Sequence, residues 1–451
     1  MNNSLITLLL ATVLASAQDA ISLSLRDAVL LALDRNKSIE AAGSVKKAAD
    51  TRITQARSGL LPKVNYSESW TRSDNPVFVF GSLLTQRQFG AQNFEVGSLN
   101  RPNFVNNFQS LITVDQTLYS AGQTKYAVRS AELTKDFANE EGRRTETEVI
   151  AQVFRAYYDS ILSADQLRVA AQSMRSAEAD LERAQNIRSA GMSTDVDVLS
   201  IRVHLASVRE LQIRRQADVE IARATLNDAI GLPLEASHSL TSPLVPLDSP
   251  EASLRDRENT AIAQRTEARQ AKLAVSLAET QTATARSSLL PQVTLHGAYE
   301  ADRQRFVTRA GDNWLVSIGL RWNLFNGFSD KAKIEESKFA VDRSLAEQAR
   351  TGSAIRLQVH RAYADLNAAT QRIEVAKASV AEAEESLRIT QNRYQAGISN
   401  ITDLLRNETA VLEARTRHLT AIRDQRVAAA GLELAAGTLT LDSAVVNERT
   451  R

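Results

Sequence analysis

The chain has 451 residues, of which 54 are Lys or Arg and 53 are Asp or Glu, so its formal net charge is +1. This balance gives no basic footprint for nucleic acid, and the absence of cysteine excludes a disulfide framework, thiol chemistry and thiolate metal sites. Aromatic residues make up only 5% of the chain, while Ala, Leu, Arg, Glu and Gln are abundant, which is typical of long helices and coiled coils.

The amino terminus has the pattern of a secretory signal peptide. Leu5 to Leu14 form a short apolar run, and Ala15-Ser16-Ala17 follow as a cleavage pattern of small residues. We therefore interpret residues 1–17 as a signal peptide; the alternative is a buried first helix. No other run reaches the roughly 18 apolar residues that a membrane-spanning helix needs. An exported protein of this kind is periplasmic, secreted or a β-barrel.

The first half of the chain predicts a helix, two strands and a very long helix. Residues 23–58 have apolar positions at three- and four-residue spacing, which predicts a helix. Residues 62–72 and 107–118 alternate apolar and polar side chains, the pattern of strands with one apolar face. Between them, residues 74–105 are rich in Gly, Asn, Pro and Gln and predict a long exposed loop. Residues 124–189 contain no Pro and predict one helix of about 100 Å.

A turn motif follows this helix and occurs twice in the chain. Gly191 and Asp197 recur as Gly397 and Asp403, each 206 residues later. A Gly that can adopt positive φ, followed by Ser, Thr or Asn and a new apolar series, predicts that one helix ends and the next is capped. The sequence therefore predicts two long helical hairpins, each with a tight turn at its tip.

Heptad spacing supports these hairpins. Apolar residues recur every seven positions near the first tip, in a larger series (Leu167, Met174, Leu181) and a smaller one (Ala170, Ala177, Ala184). In the second half, the corresponding series is Ile373, Val380, Leu387 and Tyr394, so that Tyr394 corresponds to Arg188.

The chain is therefore predicted to consist of two structural repeats around a linker. The predicted segments are the signal peptide 1–17, a first repeat 18–230 with its tip at about 190–196, a Pro-rich equatorial linker 231–254, a second repeat 255–436 with strands at about 291–300 and 314–325 and its tip at about 396–402, and a tail 437–451.

The four predicted strands match the pattern of an outer-membrane barrel. Each has about ten residues with one apolar and one polar face. Four strands cannot close a barrel alone, since the smallest such barrels have eight strands, and open strand edges in lipid leave backbone groups unpaired. Two chains would give eight strands and a filled interior, whereas three give twelve, so we favour a trimer. The alternative is a soluble sandwich. In the membrane, the aromatic residues at the interfaces would be Tyr66, Trp70, Tyr299, Trp314 and Trp322.

These paired motifs resemble the TolC family of outer-membrane efflux proteins over about residues 23–440. The resemblance rests on the Ala-Arg-Ser-x-Leu-Leu-Pro element before a strand, seen at Pro62 and Pro291, and on the repeated tips. It implies an α+β membrane protein: a homotrimer with a 12-stranded β-barrel, four strands per chain, and a long periplasmic α-helical coiled-coil barrel. It also implies a channel in the bacterial outer membrane, in contact with its lipid, that exports small molecules or proteins within a tripartite efflux or type I secretion assembly.

The partners implied by the resemblance are a periplasmic adaptor (membrane fusion) protein and an inner-membrane pump of RND, ABC or MFS type. No nucleic acid, cofactor or enzymatic activity is expected. The alternative function is a soluble periplasmic coiled-coil adaptor or scaffold, which would have no use for the strands.

The tips are the predicted functional site. In the family, the inner hairpins close the periplasmic end and untwist to open it. The matched gate candidates are Asp197, Tyr394, Ser399, Asp403 and Arg406. Ser399 stands where the family has a basic partner, and Arg406 stands at a second acidic position, so one ion pair is absent and any ring of carboxylates is single. The alternative is that the carboxylates only stabilise the helix starts.

Two further expectations concern glycine and histidine. Gly191 and Gly397 are candidate contacts for the adaptor. The five His residues have no metal-binding spacing, so no metal site is predicted. His360 corresponds to Phe154 of the first half, which predicts that it packs in a core.

Overall fold

The computed structural model describes residues 21–190, 194–247, 253–307 and 311–447, so the predicted signal peptide lies outside the described residues. The described parts group into two compact units. One combines the described parts of residues 1–42, 142–266 and 353–451, and the other combines those of residues 43–141 and 267–352. Each unit therefore takes segments from both halves of the chain.

Ten α-helices and six strands are described. The helices are α1 Leu25–Arg35, α2 Lys37–Arg57, α3 Pro76–Thr85, α4 Val96–Asn100, α5 Gln123–Ser189, α6 Asp195–Ile230, α7 Leu254–Gln264, α8 Thr266–Ser287, α9 Ser329–Gln395 and α10 Ile401–Ala436. The strands are β1 Ile21–Leu23, β2 Lys63–Ser73, β3 Val105–Tyr119, β4 His238–Leu240, β5 Gln292–Arg303 and β6 Gly311–Arg321. Within the described residues, no helix has an apolar stretch long enough to cross a lipid bilayer.

The first helix of each half is broken, whereas the sequence predicted one continuous helix over 23–58. Asn36 separates α1 from α2 in an extended conformation. Its Oδ1 accepts a hydrogen bond from the Ser38 amide at 2.8 Å, and its Nδ2 donates to the Ala229 carbonyl of α6 at 2.9 Å. Arg265 makes the equivalent extended break between α7 and α8. The apolar periodicity continues through both breaks, so periodicity alone does not show them.

A heptad series of alanines lies in the core of the first hairpin. Ala170, Ala177 and Ala184 are fully buried along α5, whereas the larger series with Leu181 is only partly buried. Small side chains allow neighbouring helices to approach closely, since the distance between helix axes depends on the residues at the contact. The smaller heptad series therefore faces the centre of the bundle.

The prediction that His360 packs in a core is wrong. Its side chain is 63% exposed, and its Nδ1 lies 4.0 Å from Glu258 Oε1. Phe154, at the corresponding position of the first half, is buried and contacts Tyr158 with ring centroids 4.8 Å apart. The two halves therefore use this position differently.

Four strands form one antiparallel sheet in the order β2-β3-β5-β6. The register pairs Tyr66 with Ile112, Ile112 with Tyr299, and Tyr299 with Trp314, so one row of large side chains crosses all four strands on the same face. The outer edges of β2 and β6 have no strand partner within the described part of the chain.

The segment between β2 and β3 is folded, although the sequence predicted a long exposed loop over 74–105. Asn75 caps α3, accepting hydrogen bonds from the amides of Val77 and Phe78 through Oδ1. Gln86, at the end of α3, donates from its side chain to Asn107 Oδ1 of β3 at 2.8 Å. Asn and Pro are common in loops, but they also occur at the beginning of helices, and here Pro76 is the first helical residue. Composition alone therefore did not distinguish a loop from a capped helix.

Candidate functional site

The first tip is closed by a reciprocal cap at the start of α6. Thr194 Oγ1 accepts a hydrogen bond from the Asp197 amide at 3.3 Å, and Asp197 Oδ2 accepts one from the Thr194 amide at 3.1 Å. This capping box satisfies two amides that the first helical turn leaves without partners. Gly191 lies outside the described residues. The Asp197 carboxylate thus stabilises the start of α6.

The second tip has the same arrangement with different residues. Asn400 Oδ1 accepts a hydrogen bond from the Asp403 amide at 2.8 Å. Gly397 has φ of 72°, and an added Cβ would meet nothing within 4 Å, so this turn is open to solvent. Ile398 beside it is 68% exposed, and Ser399 is half-buried. The cap comes from Asn400, which leaves the Asp403 carboxylate available for other contacts.

Each tip carries an exposed ion pair. Arg188 Nε lies 2.6 Å from Asp195 Oδ1 across the first tip, and Arg406 Nη1 lies 3.6 Å from Asp403 Oδ1 within the first turns of α10. The Arg188–Asp195 pair was not predicted from the sequence. The sequence feature that could have indicated this pair is the internal repeat, in which Arg188 stands at the position equivalent to Tyr394.

An apolar layer joins the two hairpins beside the tips. Its buried residues come from α5, α6 and α10 and are Ala184, Val198, Ile201, Ile401 and Leu404. Tyr394 packs against this layer, together with Leu181, Leu387 and Leu405. Tyr394 therefore belongs partly to the core of the bundle.

A polar layer lies about one helical turn beyond the apolar layer, on the side away from the tips. It consists of Asp180 on α5, His204 on α6 and Glu408 on α10; only 4% of Asp180 and 6% of Glu408 is exposed. His204 Nε2 lies 3.3 Å from Glu408 Oε2, and Arg183 Nη1 lies 2.6 Å from Asp180 Oδ1. Sequence reasoning missed this layer. The available signal was spacing, since Asp180 lies three residues after Ala177 and four before Ala184, at a position the helix buries.

The polar layer holds its two carboxyl groups in different states. Burial, together with the nearby Glu408 carboxyl group, raises the pKa of Asp180 to about 7, against the opposing effect of Arg183. Burial also acts to raise the pKa of Glu408, but the contacts with His204 and Asp180 and the charge of Arg183 outweigh it and lower that pKa. Asp180 therefore binds a proton more strongly than Glu408 does.

One face of the four-stranded sheet exposes large apolar side chains. The most exposed include Val64, Tyr66, Trp70, Trp314, Val316, Ile318 and Leu320. Tyr299, half exposed, belongs to the same face through its pairing with Trp314. Trp322 follows directly after β6, and its Nε1 donates to the Leu289 carbonyl at 3.0 Å. The other face carries polar pairs such as His296 Nδ1 and Asp115 Oδ1, 2.7 Å apart. An exposed apolar face with a polar reverse suits a sheet between lipid and water.

Among the residues that the structure describes, no group of three or more His, Asp or Glu side chains could hold a metal ion. The described tip residues make capping hydrogen bonds and ion pairs.

Comparison with known proteins identifies the family. The sequence model of the family described as "Outer membrane efflux protein" matches residues 29–232 and 259–438. Protein CyaE of Bordetella pertussis is 28% identical over 425 residues, 92% of this chain and 84% of the relative. The alkaline protease secretion protein AprF of Pseudomonas aeruginosa is 25% identical over 455 residues, 95% of this chain and 87% of the relative. The CmeC outer membrane channel of Campylobacter jejuni matches in fold, with a TM-score of 0.77 at 15% identity, and the match covers 94% of this chain and 88% of that one.

These matches confirm the predicted resemblance to TolC-type channels and the α+β channel-tunnel fold. The protein is a channel of the outer membrane with a periplasmic helical domain, and the family consists of channel proteins. The alternative function, a soluble periplasmic scaffold, is not supported. The family model covers both halves of the chain, including the four strands β2, β3, β5 and β6 and both hairpins. The chain belongs to the outer membrane efflux protein family.

Proposed function

We propose that three copies of this chain form one export duct, gated at its periplasmic end by the α5–α6 and α9–α10 tips. The observation that carries the proposal is the sheet with an exposed apolar face and two open edges, at β2 and β6. In lipid, unpaired backbone groups cost several kcal/mol each, so neighbouring copies must pair with these edges. Three chains supply twelve strands, which leave a wider interior than the eight of the smallest barrels.

The gate is proposed to depend on both tips. The apolar layer connects α5 and α6 to α10, so separating the hairpins exposes Ile201 and Leu404, which are fully buried. Asp197 and Asp403 stabilise the helix starts that present this layer. Tyr394 packs against it from α9, while Ser399 is half-buried and Arg406 is exposed. We assign these five residues to the gate on that basis.

The open turn at Gly397, with the exposed Ile398 beside it, supports docking of a periplasmic adaptor of the membrane fusion type. Gly191 is proposed for the same contact by its repeat position. The adaptor would connect the duct to an inner-membrane pump, of RND, ABC or MFS type. AprF is named for the secretion of a protease, which favours a secreted protein as cargo in a type I system over small-molecule efflux.

Conductance of purified protein in a planar bilayer tests the duct and its gate. We expect trimers in detergent and small conductance steps, which Asp403→Ala enlarges. The substitution removes the Arg406 pair and a favourable charge at the start of α10, together about 1 kcal/mol per chain. This loss frays the turn that holds Ile401 and shifts the ratio of open to closed tips by about fivefold per chain.

The matched control is Glu413→Ala, which removes an exposed pair with Arg417 further along the same helix. It should leave the conductance unchanged. A mass other than that of three chains, or protein that enters no membrane, would contradict the duct. Equal effects of the two substitutions on the conductance would contradict the role of the tip in gating but would leave the duct itself in place.

A further inference from the structure

We propose that the polar layer of Asp180, His204 and Glu408 is a proton-dependent latch, which holds the two hairpins together at mildly acidic pH and releases them at alkaline pH. The inference deepens the proposed function and rests on it, because it assigns a regulator to the same gate. The latch is distinct from the predicted tip residues, since it lies inside the bundle rather than at the turns.

The position of the layer is the first argument. Toward the tips, its neighbours on the three helices are Ala184, Ile201 and Leu404; away from the tips, they are Ala177, Val208 and Val411, and all six are buried. The polar layer is thus one polar level in an otherwise apolar stack. Polar groups buried in this way are costly unless their hydrogen bonds are made. The level is therefore stable only in the arrangement that pairs its groups.

The pairing depends on one proton. Asp180 of α5 and Glu408 of α10 are both buried at this level, close enough for each carboxyl group to shift the pKa of the other. A carboxylate has no hydrogen to donate, so this approach is attractive only while one of the two carries a proton. Asp180 Oδ2 and both Glu408 carboxylate oxygens have no hydrogen-bond partner within the described residues. Loss of the proton would leave two negative charges close together inside the bundle.

The surrounding charges do not compensate fully for a second negative charge. Arg183 on α5 pairs with Asp180, and His204 on α6 contacts Glu408. A cavity of about 310 Å³ beside Glu408 is also lined by Glu384 and Arg388 of α9 and by Arg415 of α10. Arg415 is 2.6 Å from Glu384, and Arg388 pairs with Glu385 at 2.7 Å. Both of these cations already have carboxylate partners of their own.

The direction of the pH dependence follows from Asp180. Its pKa is raised from 3.8 to about 7 in the packed arrangement. Between these two values the packed state keeps a proton that the unpacked state has lost, so its stability falls as the pH rises from about 4 to about 7. The loss is complete above the raised pKa. The ratio of protonated to ionised Asp180 changes from about 30:1 near pH 5.5 to about 1:30 near pH 8.5.

The consequence for the gate is mechanical. Asp180 and His204 belong to the first hairpin, and Glu408 belongs to the second. Ionisation of Asp180 therefore creates repulsion between hairpins rather than within one. A trimer would contain three such latches, so opening should depend on pH more steeply than a single titration.

The test compares wild-type protein with Asp180→Asn in planar bilayers and in thermal unfolding of the detergent-solubilised trimer, near pH 5.5 and near pH 8.5. Asparagine keeps the shape of the protonated side chain and its hydrogen-bond donor but cannot ionise. We expect the wild type to open more often and to unfold at a lower temperature at the higher pH. Asp180→Asn should give the low-pH behaviour at both values.

Glu413→Gln and Glu408→Gln complete the design. Glu413→Gln changes an exposed residue of α10 and should leave the wild-type pH profile intact. Glu408→Gln removes the negative charge that faces Asp180 and should move the midpoint of the pH profile toward acid. A wild-type profile that is flat with pH, or an Asp180→Asn profile that keeps the full pH dependence, overturns the latch. Absence of conductance at every pH overturns the proposed duct instead, and the unfolding profiles still decide the latch.

Discussion

At the scale of single residues, buried hydroxyl and amide groups connect segments that are far apart in the chain. Tyr157 is fully buried in α5. Its hydroxyl donates to the Leu23 carbonyl at 2.9 Å and accepts from the Ser242 amide at 3.1 Å. It thereby connects β1, the segment that follows β4, and the long helix. These two short strands pair in parallel, with Leu23 beside Leu240, so one phenol stabilises the point where the start of the chain meets the linker.

We predict that Tyr157→Phe lowers the free energy of unfolding by about 1–2 kcal/mol, because the Ser242 amide loses its buried acceptor. The matched control is Tyr363→Phe at the corresponding position of the second half. Tyr363 is only partly buried, so its loss of a hydroxyl should cost less than about 0.5 kcal/mol. Denaturant unfolding followed by circular dichroism measures both, and equal losses would contradict the role of the hydrogen bonds.

The residues at the tips were more predictable than those inside the bundle. Asp197 and Asp403 follow a glycine at a fixed spacing, and this local pattern was visible because it occurs twice. Their role as gate residues stays a prediction. The layer of Asp180 and Glu408 was missed because two helices 228 residues apart in sequence bring these side chains together. A periodicity analysis treats a charged residue as a solvent-facing position, so it does not detect charges that bury each other.

At the scale of elements, glycines in the left-handed conformation end the helices of both hairpins. Gly231 and Gly437 end α6 and α10 with φ of 73° and 72°. An added Cβ at Gly231 would lie 2.9 Å from the Arg35 carbonyl oxygen. Gly397 at the second tip has the same φ of 72° but no neighbouring atom within 4 Å of an added Cβ. The three positions share the backbone requirement and differ in the space around them.

This difference gives a paired prediction. Gly397→Ala should lower the free energy of unfolding by about 1–2 kcal/mol, the cost of a left-handed conformation for a residue with a Cβ. Gly231→Ala should cost at least about 3 kcal/mol, because the new methyl group also overlaps the backbone at Arg35. Chemical unfolding of both variants gives the comparison. Equal losses would show that the chain at Arg35 moves away freely.

Elements defined by local pattern were found from sequence, and elements defined by distant contacts were not. The alternation predicted strands at 62–72 and 107–118, and the structure has β2 at Lys63–Ser73 and β3 at Val105–Tyr119. The helix α3 was missed because it is held in place by a contact with a distant strand, the hydrogen bond from the Gln86 side chain to Asn107 of β3. The division into repeats at 18–230 and 255–436 stays a prediction, since the two compact units each combine both halves.

At the scale of the whole molecule, the sheet is incomplete as a single chain. The row from Tyr66 through Ile112 and Tyr299 to Trp314 crosses all four strands, and all four side chains are exposed. A soluble protein would cover such a face, because contiguous apolar patches of this kind promote association. Aromatic residues in a band suit the boundary between lipid and water. Lipid would cover the apolar face, and neighbouring copies would pair with the open edges of β2 and β6.

The two faces of β6 allow a direct test of that arrangement. Ile318 lies on the apolar face, paired with Leu295 of β5, and its neighbour Ser317 lies on the opposite face, paired with His296. We predict that Ile318→Lys reduces the yield of membrane-inserted trimer strongly, because a lysine facing lipid near the bilayer midplane costs about 2–4 kcal/mol per chain. Ser317→Lys adds the same charge one residue away, facing the water-filled interior, and should leave the yield near that of the wild type. Membrane extraction followed by separation of folded trimer from unfolded monomer on unheated gels measures both yields. Equal losses in the two variants would show that both faces are equally exposed to lipid, which would contradict the closed barrel; equal tolerance would show that the sheet does not enter the membrane.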